Sequence, residues 1–157
     1  MNEDNFLHAE ELINQSGKIT VFTGAGMSTA SGIADFRSPG GVWSKYRQVT
    51  FQEFQADKEK RIYYWKYKAE TIPSMLDAKP NDAHYALKTF EKKGILEKLL
   101  TQNIDGLHEK SGISRNKIVR LHGTNLEAVC LSCEKIYPIN VVLERIREGE
   151  EDPLCEQ

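Results

Sequence analysis

The chain has 157 residues, 39% hydrophobic and 28% charged, a balance that suits one ordinary soluble domain with a buried core and argues against disorder for the bulk of it. A formal net charge of −2 leaves no overall positive field for a nucleic-acid backbone, so nucleic acid is not an expected direct partner. The opening MNEDNFLHAEELINQSGK carries several acids and no uninterrupted apolar core, against a secretory signal. No stretch approaches the roughly 20 apolar residues of a membrane span, and the chain reads as cytoplasmic.

Phe6, Ala9 and Ile13, with Leu7 and Leu12 beside them, repeat at helical spacing and predict an amphipathic helix over about 3–15 that ends near Gly17. The run from Lys18 to Thr23 is short, β-branched and aromatic, and reads as a buried strand. Gly24 to Ser28 turns into a second helix, and 38–46, with its glycines, proline and aromatics but no period, reads as a loop. A helical stretch rich in Lys, Glu and Tyr follows. Ala83, Ala86, Leu87 and Phe90 mark a core-facing helix stopped near Gly94, and 95–101 and 118–121 read as two more strands. Residues 125–137 look like a small hairpin around Cys130-Leu131-Ser132-Cys133, and Val141, Val142, Leu143 and Ile146 suggest a closing helix. Strand and helix alternating in this way imply an α/β fold with a Rossmann-like parallel sheet.

Three segments carry candidate chemistry. Gly24-Ala25-Gly26-Met27-Ser28 follows a strand and opens a helix, where small residues let a pyrophosphate approach the backbone at a helix N-terminus. Read alone it is also a plain glycine turn. A hydride-transferring dehydrogenase would place a third glycine at position 29 and an acid about twenty residues on; Thr29 and Ser44-Lys45-Tyr46 stand there, which disfavours that class. Downstream, Asp35, Phe36 and Arg37 offer an acceptor, a stacking face and a phosphate fork. At the end of the second strand, Gln102, Asn103 and Asp105 supply amides and a carboxylate suited to ribose hydroxyls and a carboxamide, although Asn-Ile-Asp-Gly alone is also ordinary loop chemistry. At the end of the third, His122 before Gly123 presents an imidazole as a candidate general base. His8 and His84 read as incidental, and His108 as a surface or packing residue, with a ligand contact as the alternative. The cysteines number three, an odd count, and the Cys130/Cys133 spacing in a reducing compartment suits a metal better than a disulfide; Cys155 lies near the end.

GAGMSTASGIADFR, TQNIDGLH and LHGT followed by CxxC resemble, in order and spacing, the signature blocks of sirtuins, from about residue 10 onward. The resemblance implies an NAD-dependent protein-lysine deacylase. NAD is consumed: the acyl-lysine carbonyl oxygen attacks the nicotinamide ribose, nicotinamide leaves, and the acyl group ends on O-acyl-ADP-ribose. His122 would be the general base. Gln102, Asn103, Ile104 and Asp105 would hold the ribose and carboxamide; Gly24, Ala25, Gly26 and Ser28 would line the pyrophosphate turn; Asp35, Phe36 and Arg37 would begin a loop that orders over the dinucleotide. Met27 stands where the family often has Ile, and Ala34 where it usually has Pro, a change that loosens the loop slightly.

By the same resemblance the chain divides into 1–124, the N-terminal part of an NAD-binding Rossmann-like domain, and 125–157, an incomplete zinc-ribbon-type module. Its structural zinc would be held by Cys130, Cys133 and Cys155, and the expected fourth thiolate falls at the position after Gln157. A parallel sheet without its later strands is expected to expose an edge and an apolar face. The partner implied is an acyl-lysine protein or peptide, with oligomeric state unassigned. Alternatives from other classes are a non-catalytic remnant that binds NAD, ADP-ribose or a partner protein, and a protein ADP-ribosyltransferase.

Overall fold

The computed structural model describes residues 3–157; Met1 and Asn2, the start of the predicted 1–124 unit, lie outside the described residues. Helix α1 (Glu3–Gln15) forms where its periodicity places it, with Glu3 and Asp4 in the first turn facing the helix dipole favourably. Its apolar stripe is not covered: Phe6, Leu7 and Leu12 remain exposed. Strand β1 (Ile19–Thr23) follows. The predicted second helix is instead a tight 3-10 helix over Ala25–Ser31. The Thr29 hydroxyl donates to the Gly26 carbonyl, and the Asn81 amide donates to the Met27 carbonyl and the Ser31 hydroxyl, so side chains engage groups that a wider helix would pair internally.

The stretch read as a loop contains one helical turn, α2 (Val42–Lys45). Helix α3 (Phe51–Ala56) starts on a Thr50/Glu53 capping box, and α4 (Lys58–Asp77) starts on Asp57, whose carboxylate accepts from the Glu59 and Lys60 backbone N–H groups. Asn81 caps α5 (Asp82–Lys92), which leads to β2 (Leu96–Thr101), the short α6 (Leu107–Lys110) and β3 (Ile118–Arg120). An antiparallel hairpin, β4 (Glu127–Val129) with β5 (Ile136–Pro138), then runs into α7 (Ile139–Arg147).

Strands β1, β2 and β3 lie side by side in that order and all parallel, with Thr23 level with Thr101 and Thr101 level with Arg120. The β1–β2 register shifts between Ile19 and Thr20, their partners being Leu96 and Lys98, so β2 carries an extra residue. That bulge brings Leu96 and Leu99, three apart, into the same core. They pack with Leu87 and Ile113, and Val21, Phe90 and Ile118 close round them. Each such leucine contributes roughly 1.5–3 kcal/mol by leaving water. The alternation that buries Val21 turns Phe22 outward: it is 61% exposed and Val119 41%, on the face of a parallel sheet that proteins ordinarily cover. A second core joins Ile72 of α4 to Ile139 and Leu143 of α7, with Trp65 and Ala128 against it, and holds the hairpin to α4.

Candidate functional site

The three parallel strands end together, and each is followed at once by one of the chemically marked segments. The backbone keeps them in step: Gln102 N–H donates to the Thr23 carbonyl and Leu121 N–H to the Thr101 carbonyl. Open parallel sheets gather ligand groups at this edge. The result is a cleft of about 530 Å3. Ala25 and Gly26 reach it from β1, Gln102, Asn103 and Ile104 from β2, and His122 from β3; Asp35, Phe36 and Arg37 close the fourth side.

Under the cleft floor lies a buried polar network. Ser28 Oγ donates to Asp105 at 2.7 Å, Asn103 Nδ2 donates to Ser28 Oγ at 3.1 Å, and the Leu107 N–H donates to the other Asp105 oxygen at 2.8 Å. Ser28 and Asp105 therefore sit beneath the cleft and hold Asn103 up into it; neither they nor Gly24 belong to its lining. Asn103 Oδ1 is buried without a partner among the described residues, an acceptor waiting beside the cavity.

The network continues through His108. Its Nε2 lies 2.9 Å from Thr23 Oγ1, which donates to Thr101 Oγ1 at 2.9 Å, and that oxygen also accepts the Asn103 backbone N–H at 2.9 Å. His108 Nδ1 is buried with no partner among the described residues. His84 packs at a tilt against it with ring centroids 5.0 Å apart, its Nδ1 accepting the Asn81 backbone N–H. Both rings are fully buried. Burial, with the neighbouring His84, pushes His108 down to about 4, and burial lowers His84 as well. Sequence spacing had placed neither imidazole in the support of the site; the signal that could have found them is the Asn81-x-x-His84 cap and the Leu107-His108 step after a strand-end motif.

The loop 35–43 folds on itself. Asp35 accepts from the Ser38 hydroxyl and backbone N–H and from the Arg37 N–H, contacts that hold its carboxyl below the usual carboxylate range. Val42 N–H returns to the Asp35 carbonyl and Trp43 N–H to the Phe36 carbonyl. A Cβ at Gly41 would stand 2.7 Å from the Asp35 carbonyl oxygen and 2.9 Å from both Asp35 Oδ1 and the Ser38 carbonyl oxygen. Gly41→Ala should therefore destabilise the chain by about 1–3 kcal/mol, read as a lower urea midpoint at unchanged slope; an unchanged midpoint would mean that the loop is not held closed in this way.

The cysteines form a second chemical cluster. The Sγ atoms of Cys130, Cys133 and Cys155 lie within 4.8 Å of one another, and Cys133 and Cys155 are 3.5 Å apart. Thiolates round a zinc ion at ~2.3 Å stand about 3.8 Å from each other, so the spacing fits a shared metal and is too long for a disulfide bond of ~2.05 Å. Ser132 N–H donates to Cys130 Sγ at 3.4 Å, as a metal knuckle requires, and Glu134 takes a positive φ of 59° to turn the hairpin. Cys155 is brought there by two arginines: Arg145 grips Glu150 with two bonds and the Leu154 carbonyl with a third, and Arg61 grips Asp152. The Tyr137 hydroxyl holds the Cys155 thiol down to about 7.

A sequence profile described as Sir2 family matches residues 24–157. This chain belongs to the Sir2 family. An NAD-dependent protein deacetylase of Thermodesulfovibrio yellowstonii is 49% identical over 146 residues, 93% of this chain and 56% of that protein. One of Sulfolobus acidocaldarius is 43% identical over 148 residues, 93% of this chain and 57% of that protein. A Sir2 structure with a deacetylated p53 peptide and 3′-O-acetyl-ADP-ribose superimposes with a TM-score of 0.86 at 38% identity, covering all of this chain and 61% of that one. A Sir2 structure with p53 peptide and NAD gives 0.82 at 38% identity, again over all of this chain and 60% of that one. The chain thus spans somewhat more than half the length of the relatives it matches.

Within this Sir2 fold the cleft also takes Trp43, Gln48, Tyr67 and Lys68, none of which the signature blocks include. Trp43 packs at a tilt on Phe36, ring centroids 5.6 Å apart, and meets the edge of Tyr67 at 6.3 Å, so helix α4 supports the 35–43 segment from behind. The repeated tyrosines of α4, Tyr63 and Tyr67 one turn apart, were the available signal for this wall. Among the described residues no helix is long and apolar enough to cross a membrane.

Proposed function

We propose that this Sir2 chain carries the base and the nicotinamide side of an NAD-dependent protein-lysine deacylase, with an acyl-lysine protein or peptide as second substrate. What supports the reading above all is the meeting of His122, Asn103 and the Ala25-Gly26 turn, from three strand ends, on one cleft. The unpartnered Asn103 Oδ1 fits a carboxamide N–H donor, and the backbone at Ala25 and Gly26, free of bulky side chains, fits a pyrophosphate. Bound there, NAD supplies an electrophilic ribose carbon with nicotinamide as its leaving group.

The chain's own residues then do the following. Asn103, fixed through Ser28, and Ile104 orient the nicotinamide end; Gln102 contacts the ribose; Asp105 acts by anchoring Ser28 and the Leu107 turn. Arg37 balances phosphate charge and Phe36 covers the site against water. His122, exposed at the cleft wall, takes a proton from a ribose hydroxyl at Nδ1 or Nε2 so that the hydroxyl can attack the acyl-bearing carbon. In the same reading 125–157 is an incomplete zinc-binding module on Cys130, Cys133 and Cys155, 1–124 is part of the NAD-binding domain, and the free cysteines are consistent with a cytoplasmic setting.

Incubating the purified chain with NAD and an acetyl-lysine peptide should release nicotinamide and O-acetyl-ADP-ribose, both followed by mass spectrometry. His122→Ala should lower turnover by about 10²–10⁴-fold while leaving NAD binding measurable. Folded chain that binds neither substrate nor releases nicotinamide would overturn the reading, and ADP-ribose attached to protein would reassign the acceptor.

A further inference from the structure

The sulfur atoms of Cys130, Cys133 and Cys155 gather from two places in the chain, and the two are supported differently. Cys130 and Cys133 belong to one tight turn. The Lys135 carbonyl accepts the Cys130 N–H, the Cys130 carbonyl accepts the Glu134 N–H, and the Ser132 N–H reaches the Cys130 sulfur at 3.4 Å. The backbone of such a turn can stabilise the charge of a thiolate. Cys155 arrives from the segment after α7, outside that turn, with its sulfur 3.5 Å from that of Cys133. Beside it stands a side chain: the Tyr137 hydroxyl oxygen lies 3.3 Å from Cys155 Sγ.

Two contacts hold Tyr137 for that role. Its backbone is fixed in β5 opposite Ala128, which packs on the α4–α7 core. The ammonium of Lys135 lies 4.8 Å from the centre of its half-buried ring. Between a thiol and a phenol, either atom of the Tyr137–Cys155 pair can give the proton. A metal-bound Cys155 is a thiolate with no proton to give, so the phenol must then be the donor. Hydrogen bonds to an ionised acceptor are roughly twice as strong as neutral ones. Three thiolates also outweigh the charge of a zinc ion, and the Tyr137 O–H dipole, with Lys135 over its ring, meets part of that surplus.

We propose that Tyr137 is a positioning residue of the zinc site, its hydroxyl donating to the metal-bound Cys155 thiolate and so fixing the one ligand that comes from outside the hairpin turn. The inference rests on the reading of the three cysteines as zinc ligands. Groups that act on a metal through one of its ligands change its affinity by about 10–100-fold.

Tyr137→Phe removes the hydroxyl alone and keeps the ring, the strand pairing and the lysine contact. In the whole 157-residue chain, zinc affinity measured by competition with a chromophoric chelator should fall by about 10–100-fold in this variant. Cobalt loading gives a second readout that a mere loss of fold stability does not imitate. A thiolate deprived of its hydrogen-bond donor holds its electrons less tightly, so the thiolate-to-cobalt absorption should move to longer wavelength. Tyr85→Phe, which alters an exposed tyrosine of α5, should change neither readout. A cobalt band at the parent's wavelength would overturn the role, and so would an equal loss of affinity in Tyr85→Phe. Zinc held as tightly by Tyr137→Phe as by the parent removes this inference alone; a folded parent that binds neither zinc nor cobalt removes it together with the zinc site.

Discussion

Cys133→Ser should lower zinc affinity by at least about 100-fold and raise the lability of the 127–138 hairpin, because a serine hydroxyl stays protonated at neutral pH and is a poor soft-metal ligand. Beyond the packing of Ala128 against the α4–α7 core, the hairpin has little else to hold it. Its ladder pairs Glu127 with Pro138, Ala128 with Tyr137 and Val129 with Ile136, and Val129, Leu131 and Ile136 are exposed, so apolar burial contributes little on that side. A complete structural zinc site contributes on the order of 10–16 kcal/mol in small domains, far above what three ladder pairs supply. Cys130, Cys133 and Cys155 bring three sulfur atoms within reach of one ion. The parent protein should carry close to one zinc per chain by elemental analysis, and cobalt substitution should give thiolate-to-metal absorption that Cys133→Ser abolishes. Chelation should lower the melting temperature of the parent and not of the variant. A zinc content near zero in folded parent protein would sink the site.

Acid should weaken the fold well before its carboxylates titrate. His108, with its Nδ1 buried and unpartnered, stays neutral in the fold down to about pH 4, while the same side chain in the unfolded chain takes up a proton from about pH 6.5. The unfolded state therefore binds the extra proton throughout that window. Stability from this group is full above pH 6.5 and is lost as pH falls toward 4, by roughly 3 kcal/mol in all. His84, lowered by burial too, acts in the same direction. Since an ordinary domain has about 5–15 kcal/mol to lose, urea midpoints should drop visibly between pH 6.5 and 4.5. His108→Gln, which keeps a donor and an acceptor but does not titrate, should flatten that slope even though it lowers stability overall. A wild-type stability that is level across the window would show that the imidazole finds a proton acceptor which its neutral role excludes. The consequence reaches the site: His108 orders Thr23 and Thr101, and Thr101 orders the Asn103 backbone.

Periodicity and punctuation were enough to place most of the elements. The strand β1 between Gly17 and Gly24, the helix α5 from Asn81 to Gly94 and the hairpin round Cys130 and Cys133 stand where local residue choice puts them. Such signals work because each is settled within one element, by a cap, a turn or the period of an apolar face. The chemistry at strand ends was legible for a related reason: once 19–23, 96–101 and 118–120 are parallel neighbours, the residues after each must converge, and Ala25, Gly26, Gln102, Asn103 and His122 do line one cleft.

Local pattern carries no information about which distant side chains meet, and the remaining features depend on that. Ser28 read as a member of a phosphate turn, and packing turned it inward to Asp105, 77 positions away. The run 25–31 wound into a 3-10 helix with the Asn81 amide, from the start of α5, holding two of its oxygens. Lys68 looked like one more charge on a polar helix, and only the approach of Asn125 and the rings of Tyr64 and Tyr67 made it a buried cation. The sequence by itself determined the family motifs, the parallel order of the chemistry and the pair of hairpin thiols, since covalent neighbours and short-range periods carry them. Tertiary structure alone decided which polar groups are buried, which are paired and which are left facing a cavity, because burial is a property of everything packed around a residue and not of the residue's place in the chain.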